Sequence, residues 1–220
     1  MAGIYLHIPF CKSKCHYCNF YSLASLRHKD AFLKALLKEI VLQKDYLAGE
    51  EIESIYFGGG TPSLLSAREL ASILNEIHKY FPVQAGAEID LEANPDDINL
   101  GILQEWKRMG INRLSIGTQA FDDALLKKLN RVHTAKQALN AVQLARENAF
   151  ENISIDLIYG IPGLTDKQWS DSIRRVMDLQ IPHISAYHLT VETGTALEVL
   201  IRKANILNRT KKRVWGISGF

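Results

Sequence analysis

Six short runs rich in β-branched and aromatic residues alternate with longer amphipathic stretches. Ile4–Ile8, Ser54–Phe57, Ala87–Ala93, Arg113–Gly117, Ile153–Tyr159 and His183–Leu189 read as strands, most of them bounded by Gly, Pro or Asn. Three of the intervening helices open on capping boxes: Ser66-Ala-Arg-Glu69, Thr134-Ala-Lys-Gln137 and Thr165-Asp-Lys-Gln168. Leu33, Leu36, Leu37, Ile40 and Leu47 line one face of the first helix, and Gly110 suits the C-cap of a helix from about Ile98 to Met109. Strands separated by helices require parallel pairing through right-handed crossovers. The fold is therefore α/β, and periodicity alone leaves open a doubly wound sheet or a barrel.

At 220 residues the chain suffices for one full core. No apolar run approaches the roughly 18–20 residues that span a bilayer. The start, Met-Ala-Gly-Ile-Tyr-Leu-His-Ile-Pro-Phe, has no basic n-region and reads as the first strand rather than a signal peptide. The formal charge of +2 conceals an asymmetry. Ile201 to Phe220 carries six bases and no acid, leaving 20 bases against 24 acids in residues 1–200. The body offers no nucleic-acid surface. From Val199 to Phe220 the pattern loses its period, which reads as an abnormal end replacing a lost continuation. Residues 1–200 form the expected core domain and 201–220 a basic, atypical tail.

All three cysteines lie in Cys11-Lys-Ser-Lys-Cys15-His-Tyr-Cys18, directly after the first strand. A disulfide framework prefers an even, dispersed set, so this cluster indicates a metal site in a reducing, cytoplasmic compartment. Thiolates are soft ligands for iron–sulfur clusters or zinc. Three on one loop can hold three irons of a [4Fe–4S] cubane and leave the fourth iron bare. That iron can chelate the amino and carboxylate groups of S-adenosylmethionine (SAM), whose sulfonium carbon–sulfur bond then breaks on one-electron reduction. The alternative is a structural Cys3His zinc site with His16 or His28 as fourth ligand.

Several further residues sit at expected strand ends. Gly58-Gly-Gly-Thr-Pro62 permits close backbone approach but lacks P-loop and Rossmann spacing. Glu92 ends the third strand in Leu91-Glu-Ala-Asn-Pro95, Gln119 closes Leu114-Ser-Ile-Gly-Thr-Gln119, and Arg131 lies in Leu129-Asn-Arg-Val-His133. Asp156 sits in a mostly apolar strand and needs a partner if buried. His7 and Trp106 read as packed residues. The cysteine loop, the glycine loop, Glu92 and Gln119 all fall at C-terminal strand ends, the face on which βα barrels place their chemistry.

With these motifs the chain resembles the radical-SAM superfamily over residues 1 to about 200. Tyr5-Leu-His-Ile-Pro-Phe-Cys11 and Tyr56-Phe-Gly-Gly-Gly-Thr-Pro62 are similar to the coproporphyrinogen dehydrogenase-like family, which holds oxygen-independent coproporphyrinogen III oxidases and haem chaperones of HemW type. The resemblance implies a partial (β/α)6 barrel. It assigns Gly59, Gly60, Thr61, Glu92, Gln119, Arg131 and Asp156 to SAM binding, and less firmly Tyr5, Tyr17 and Tyr187. The oxidase branch carries another cysteine two residues beyond the third, whereas here Asn19, Phe20 and Tyr21 follow Cys18. That departure favours the HemW-type branch. It implies haem or porphyrin as ligand, an electron donor such as flavodoxin or ferredoxin, and haem-receiving respiratory proteins as partners. The family's C-terminal domain is expected to be absent, and this form to bind cluster and SAM without completing its task.

Overall fold

The computed structural model describes residues 2–204. Six strands pair in parallel in the order β1-β2-β3-β4-β5-β6: Ala2–Ile8, Ile52–Gly59, Val83–Ala93, Arg113–Gln119, Asn152–Tyr159 and His183–His188. The helices are α1 (Lys29–Leu42), α2 (Ala67–Tyr80), α3 (Leu100–Arg108), α4 (Asp123–Lys128), α5 (Ala135–Glu147), α6 (Asp166–Asp178) and α7 (Ala196–Ala204). Sequential order with β1 and β6 left as unjoined edges is a partial (β/α)6 barrel. Periodicity could not choose this over a doubly wound sheet; strand order does.

The two faces of the sheet differ in chemistry, and register shows why. Leu6, Phe57, Leu91, Leu114 and Ile153 stand opposite one another across five strands and are buried. They pack under Leu70, Ile73 and Ile77 of α2, Trp106 of α3 and Val142 of α5 in one apolar cluster. One residue earlier on each strand, the row reads Tyr5, Tyr56, Asp90, Arg113 and Asn152. Side chains alternate along a strand, so this row lines the inner face of the barrel. The hydrophobic effect thus fixes the helices outside and leaves a polar lumen.

All three capping boxes form, at Ser66, Thr134 and Thr165. The strand cores match the sequence reading; β1, β2, β3 and β5 begin earlier than expected, and β2 and β4 run two residues further. Three details differ. Helix α1 ends at Leu42, so Leu47 packs on the core from the following turn rather than from the helix. Helix α4 has too few turns for its periodicity to be legible, although Asp122 caps it by accepting from the Leu125 amide. Val199 lies inside α7, where Leu197 and Ile201 are buried in a second apolar cluster with Ile158, Ile161 and Leu189. The regular structure therefore passes the expected boundary at residue 200. Residues 205–220, most of the basic tail, lie outside the described residues.

Candidate functional site

A cavity of about 370 Å³ opens at the C-terminal ends of the strands. Cys11, Cys15 and Cys18 line one side of it from the loop after β1, and all three are free thiols of intermediate exposure. Gly59, Gly60 and Thr61 contribute the β2 exit, and Glu92 the end of β3. Gln119, Arg131, Asp156, Tyr187 and Tyr17 complete the set. Of the residues assigned to the cluster or to SAM, only Tyr5 lies off this lining. It sits three residues before the end of β1 and is 58 % exposed. Its ring stacks at 5.8 Å on Tyr56, and its hydroxyl is 3.0 Å from His7 Nδ1.

The cysteine loop is held from several directions. The Leu23 amide donates to the Pro9 carbonyl and the Cys11 amide to the Leu23 carbonyl. The His16 amide donates to the Leu129 carbonyl, and Asn130 Nδ2 donates to the Lys14 carbonyl at 2.9 Å. Lys12 forms ion pairs with Asp96, at 2.7 Å, and with Asp97. His16 Nδ1 faces the Lys128 carbonyl at 2.9 Å, so it carries the proton and donates. That leaves Nε2 as the nitrogen His16 could offer a metal. Trp106 is buried in the core, and His7 contacts the Tyr21 carbonyl through Nε2 at 2.9 Å.

The glycine loop lies directly against the cysteine loop's root. The Gly60 amide donates to the Ile8 carbonyl at 2.8 Å. A Cβ on Gly60 would come within 2.7 Å of the Phe10 carbonyl oxygen, and Gly59 adopts a φ of +109°. Both positions need glycine, one for space and one for conformation.

Glu92 is oriented by two donors: the Tyr56 hydroxyl at 2.7 Å to Oε1 and the Gly59 amide at 3.0 Å to Oε2. Burial nevertheless pushes its carboxyl above the usual range, against the pull of those two hydrogen bonds. Asp156 is pushed up to about 7, chiefly by burial and then by the negative charge of Glu92. Arg131 is a buried cation in the same space. Its Nη2 donates to Asn94 Oδ1 at 2.6 Å and to the Gly117 carbonyl at 2.8 Å, and its Nη1 lies 3.3 Å from Cys15 Sγ. Its Nε is buried without a partner. Gln119 sits at an irregularity of the β4–β5 register with a φ of +64°. A left-handed glutamine is backbone strain of about 1 kcal/mol, and the irregularity re-aims the side chain at the cavity.

Burial also pushes the Cys18 thiol upward. Among the described residues no three His, Cys, Asp or Glu side chains converge on a single metal ion. The donor chemistry fits a polynuclear cluster: three soft sulfurs on one loop, spaced C-x3-C-x2-C. Two carboxylates driven upward by burial fit a cationic ligand, and Arg131 with its unpartnered Nε–H fits a carboxylate.

Sequence reasoning missed Tyr56, Asn94 and Gly117. Tyr56 lies in the quoted glycine motif two residues before Gly58, on the same side of β2; alternation gives that side, but only the register that pairs it with Asp90, two residues before Glu92, brings its hydroxyl to the carboxylate. Asn94 precedes Pro95 in the quoted Glu92 motif. Gly117 carries no sequence signal beyond being small.

Comparison with known proteins agrees with this geometry. Residues 5–176 match the family model described as Radical SAM superfamily. The chain is 39 % identical over 209 residues to "Heme chaperone HemW" of Bacillus subtilis, covering 94 % of this chain and 55 % of that one. It is 36 % identical over 196 residues to the protein of the same name in Escherichia coli, covering 88 % and 52 %. The chain thus spans about half the length of the curated relatives it matches. Among solved structures, coproporphyrinogen III oxidase (HemN) from Escherichia coli superposes with a TM-score of 0.80 at 28 % identity, covering 94 % of this chain and 52 % of that one.

Proposed function

This chain belongs to the radical SAM superfamily, and from that premise we propose that it binds a [4Fe–4S] cluster through Cys11, Cys15 and Cys18 and acts as a HemW-type haem chaperone. The observation that carries the cofactor reading is convergence: three thiols, a glycine loop, two raised carboxylates and one arginine share a single cavity at the C-terminal strand ends. Such a cluster, when bound with SAM, supplies one-electron cleavage of a sulfonium carbon–sulfur bond.

The chain's own residues divide the binding. Cys11, Cys15 and Cys18 hold three irons. Arg131 receives the SAM carboxylate, and the β2 exit at Gly59, Gly60 and Thr61 receives its ammonium. Glu92 and Asp156 face the cationic portion and exchange mutual repulsion for attraction on binding. Gln119 offers an amide that both donates and accepts, and Tyr17 and Tyr187 border the nucleoside end. Three free thiols in reduced form suit a cytoplasmic protein.

The chaperone reading rests on the absence of a cysteine two residues beyond Cys18 and on the relatives bearing that name. A coproporphyrinogen III dehydrogenase is the second reading, supported by the likeness to that oxidase's structure. Anaerobic reconstitution of the 220-residue chain tests both. About four irons and matching acid-labile sulfide per chain, with a spectrum that shifts on adding SAM, are expected. Haem binding without conversion of coproporphyrinogen III supports the chaperone; formation of protoporphyrinogen IX supports the oxidase. Stoichiometric zinc with no iron overturns both.

A further inference from the structure

Asn94 connects three segments of the cavity wall. It is the residue before Pro95 at the exit of β3, with an extended backbone (φ −84°, ψ 144°) that the proline ring favours. Its main-chain amide donates to Ser63 Oγ at 3.3 Å, and its Nδ2 donates to Thr61 Oγ1 at 3.3 Å. Both contacts tie it to the β2 exit. On the other side its Oδ1 accepts from Arg131 Nη2 at 2.6 Å. A guanidinium has donors only, so this contact fixes which end of the amide carries the oxygen.

Arg131 carries the link onward to the cysteine loop through Nη1 and Cys15 Sγ. Gly117 makes the space. A Cβ there would stand 3.1 Å from Gln119 Nε2, 3.3 Å from Arg131 Nη2 and 3.6 Å from Asn94 Oδ1.

We propose that Asn94 is a positioning residue that locks the glycine loop and Arg131 into one relative placement, so that the two ends of the SAM methionyl group are received together. This rests on the cofactor reading above. A long guanidinium side chain loses much rotamer freedom when it is fixed. Asn94 and the Gly117 carbonyl hold it before the ligand arrives, which lowers the ordering cost of binding. Asparagine suits the task because one side chain must accept from Arg131 and donate to Thr61. Aspartate would only accept, and leucine would do neither.

The test is a SAM titration of the anaerobically reconstituted full chain, read by the change in the cluster's electronic and paramagnetic spectra. Iron and sulfide content are measured beside it. Asn94→Leu is expected to keep the iron of the wild type and to weaken SAM binding by about tenfold, the loss of a hydrogen bond to a charged group. Asn94→Asp, which keeps the acceptor for Arg131, is expected within about threefold of wild type, the scale of one neutral hydrogen bond lost. Should Asn94→Leu not fold, Asn94→Ser, which loses both contacts without added bulk, is titrated in its place. Affinity within twofold of wild type in the loaded Leu or Ser variant overturns the proposal. So does an Asp variant as weak as the Leu variant. A wild-type chain that loads no cluster, or whose spectra ignore SAM, instead overturns the cofactor reading itself.

Discussion

The Tyr56 hydroxyl donates to Glu92 Oε1 at 2.7 Å across the inner face of β2 and β3, and this bond aims the carboxylate into the cavity. Burial raises the Tyr56 phenol, and Glu92 raises it further in turn. Phenylalanine at 56 would keep the ring stacked between Tyr5 and the lumen while freeing one carboxylate oxygen. Tyr56→Phe is expected to retain its cluster and to bind SAM about tenfold more weakly, since hydrogen bonds to charged groups contribute roughly 1.5–3 kcal/mol. Equilibrium dialysis with labelled SAM measures this, and unchanged affinity would show that Gly59 alone holds Glu92.

Asp156 gives the apo protein a pH dependence of predictable sign. Its carboxyl is pushed from 3.8 to about 7 by burial first and by Glu92 second. Between these values the folded state holds a proton that the unfolded state has released. The associated stability is fully present below about pH 4 and is lost as pH rises through 7. Asp156→Asn mimics the protonated form, so it is expected to melt a few degrees above wild type at pH 8, where one kcal/mol is worth about 2–4 °C in a chain of this size. At pH 5 the gap should be clearly smaller, because only part of that stability has been lost there. An equal gap at both pH values would mean that the carboxyl does not titrate in this range.

The alternation of strands and helices, the capping boxes and the C-terminal placement of the motifs were legible because each is a local pattern. Ser66, Thr134 and Thr165 cap their helices through residues three positions away. What escaped depended on register across strands. Tyr56 meets Glu92 only because β2 and β3 align as they do, and Asn94 at the β3 exit meets Arg131 from the distant segment between α4 and α5. Helix α7 was hidden because its buried Leu197 and Ile201 are a single i, i+4 pair beside a basic stretch.

The imidazole of His16 separates a cubane from a zinc site. Its Nδ1 donates to the Lys128 carbonyl, pinning the cysteine loop against the end of α4. His16→Gln is expected to lower stability by about 1 kcal/mol for the lost bond and to leave iron and sulfide per chain unchanged. A Cys3His site would lose one of four ligands and release its metal to a chelator at least tenfold more readily. Elemental analysis after anaerobic desalting reads the difference, and metal lost with His16 would sink the three-thiolate assignment.

Two glycine-to-alanine changes separate steric need from conformational need. At Gly60 a Cβ would lie 2.7 Å from the Phe10 carbonyl oxygen, 2.8 Å from the Ile8 carbonyl oxygen and 2.9 Å from the Phe10 amide nitrogen. All three are backbone atoms of β1's exit and cannot rotate away, so the loop itself must shift. At Gly49 the φ is +83° but nothing lies within 4 Å, so alanine there meets strain without collision. Gly49→Ala is expected to cost about 1 kcal/mol, the left-handed penalty for a residue with a side chain, with SAM affinity intact. Gly60→Ala is expected to cost on the order of 1–3 kcal/mol from overpacking. It should also lose SAM binding, because the displaced segment joins the glycine loop to the residues preceding Cys11. Urea midpoints and SAM titrations of both variants check this. If Gly60→Ala bound SAM like wild type, contact between the two loops would have no part in shaping the cofactor pocket.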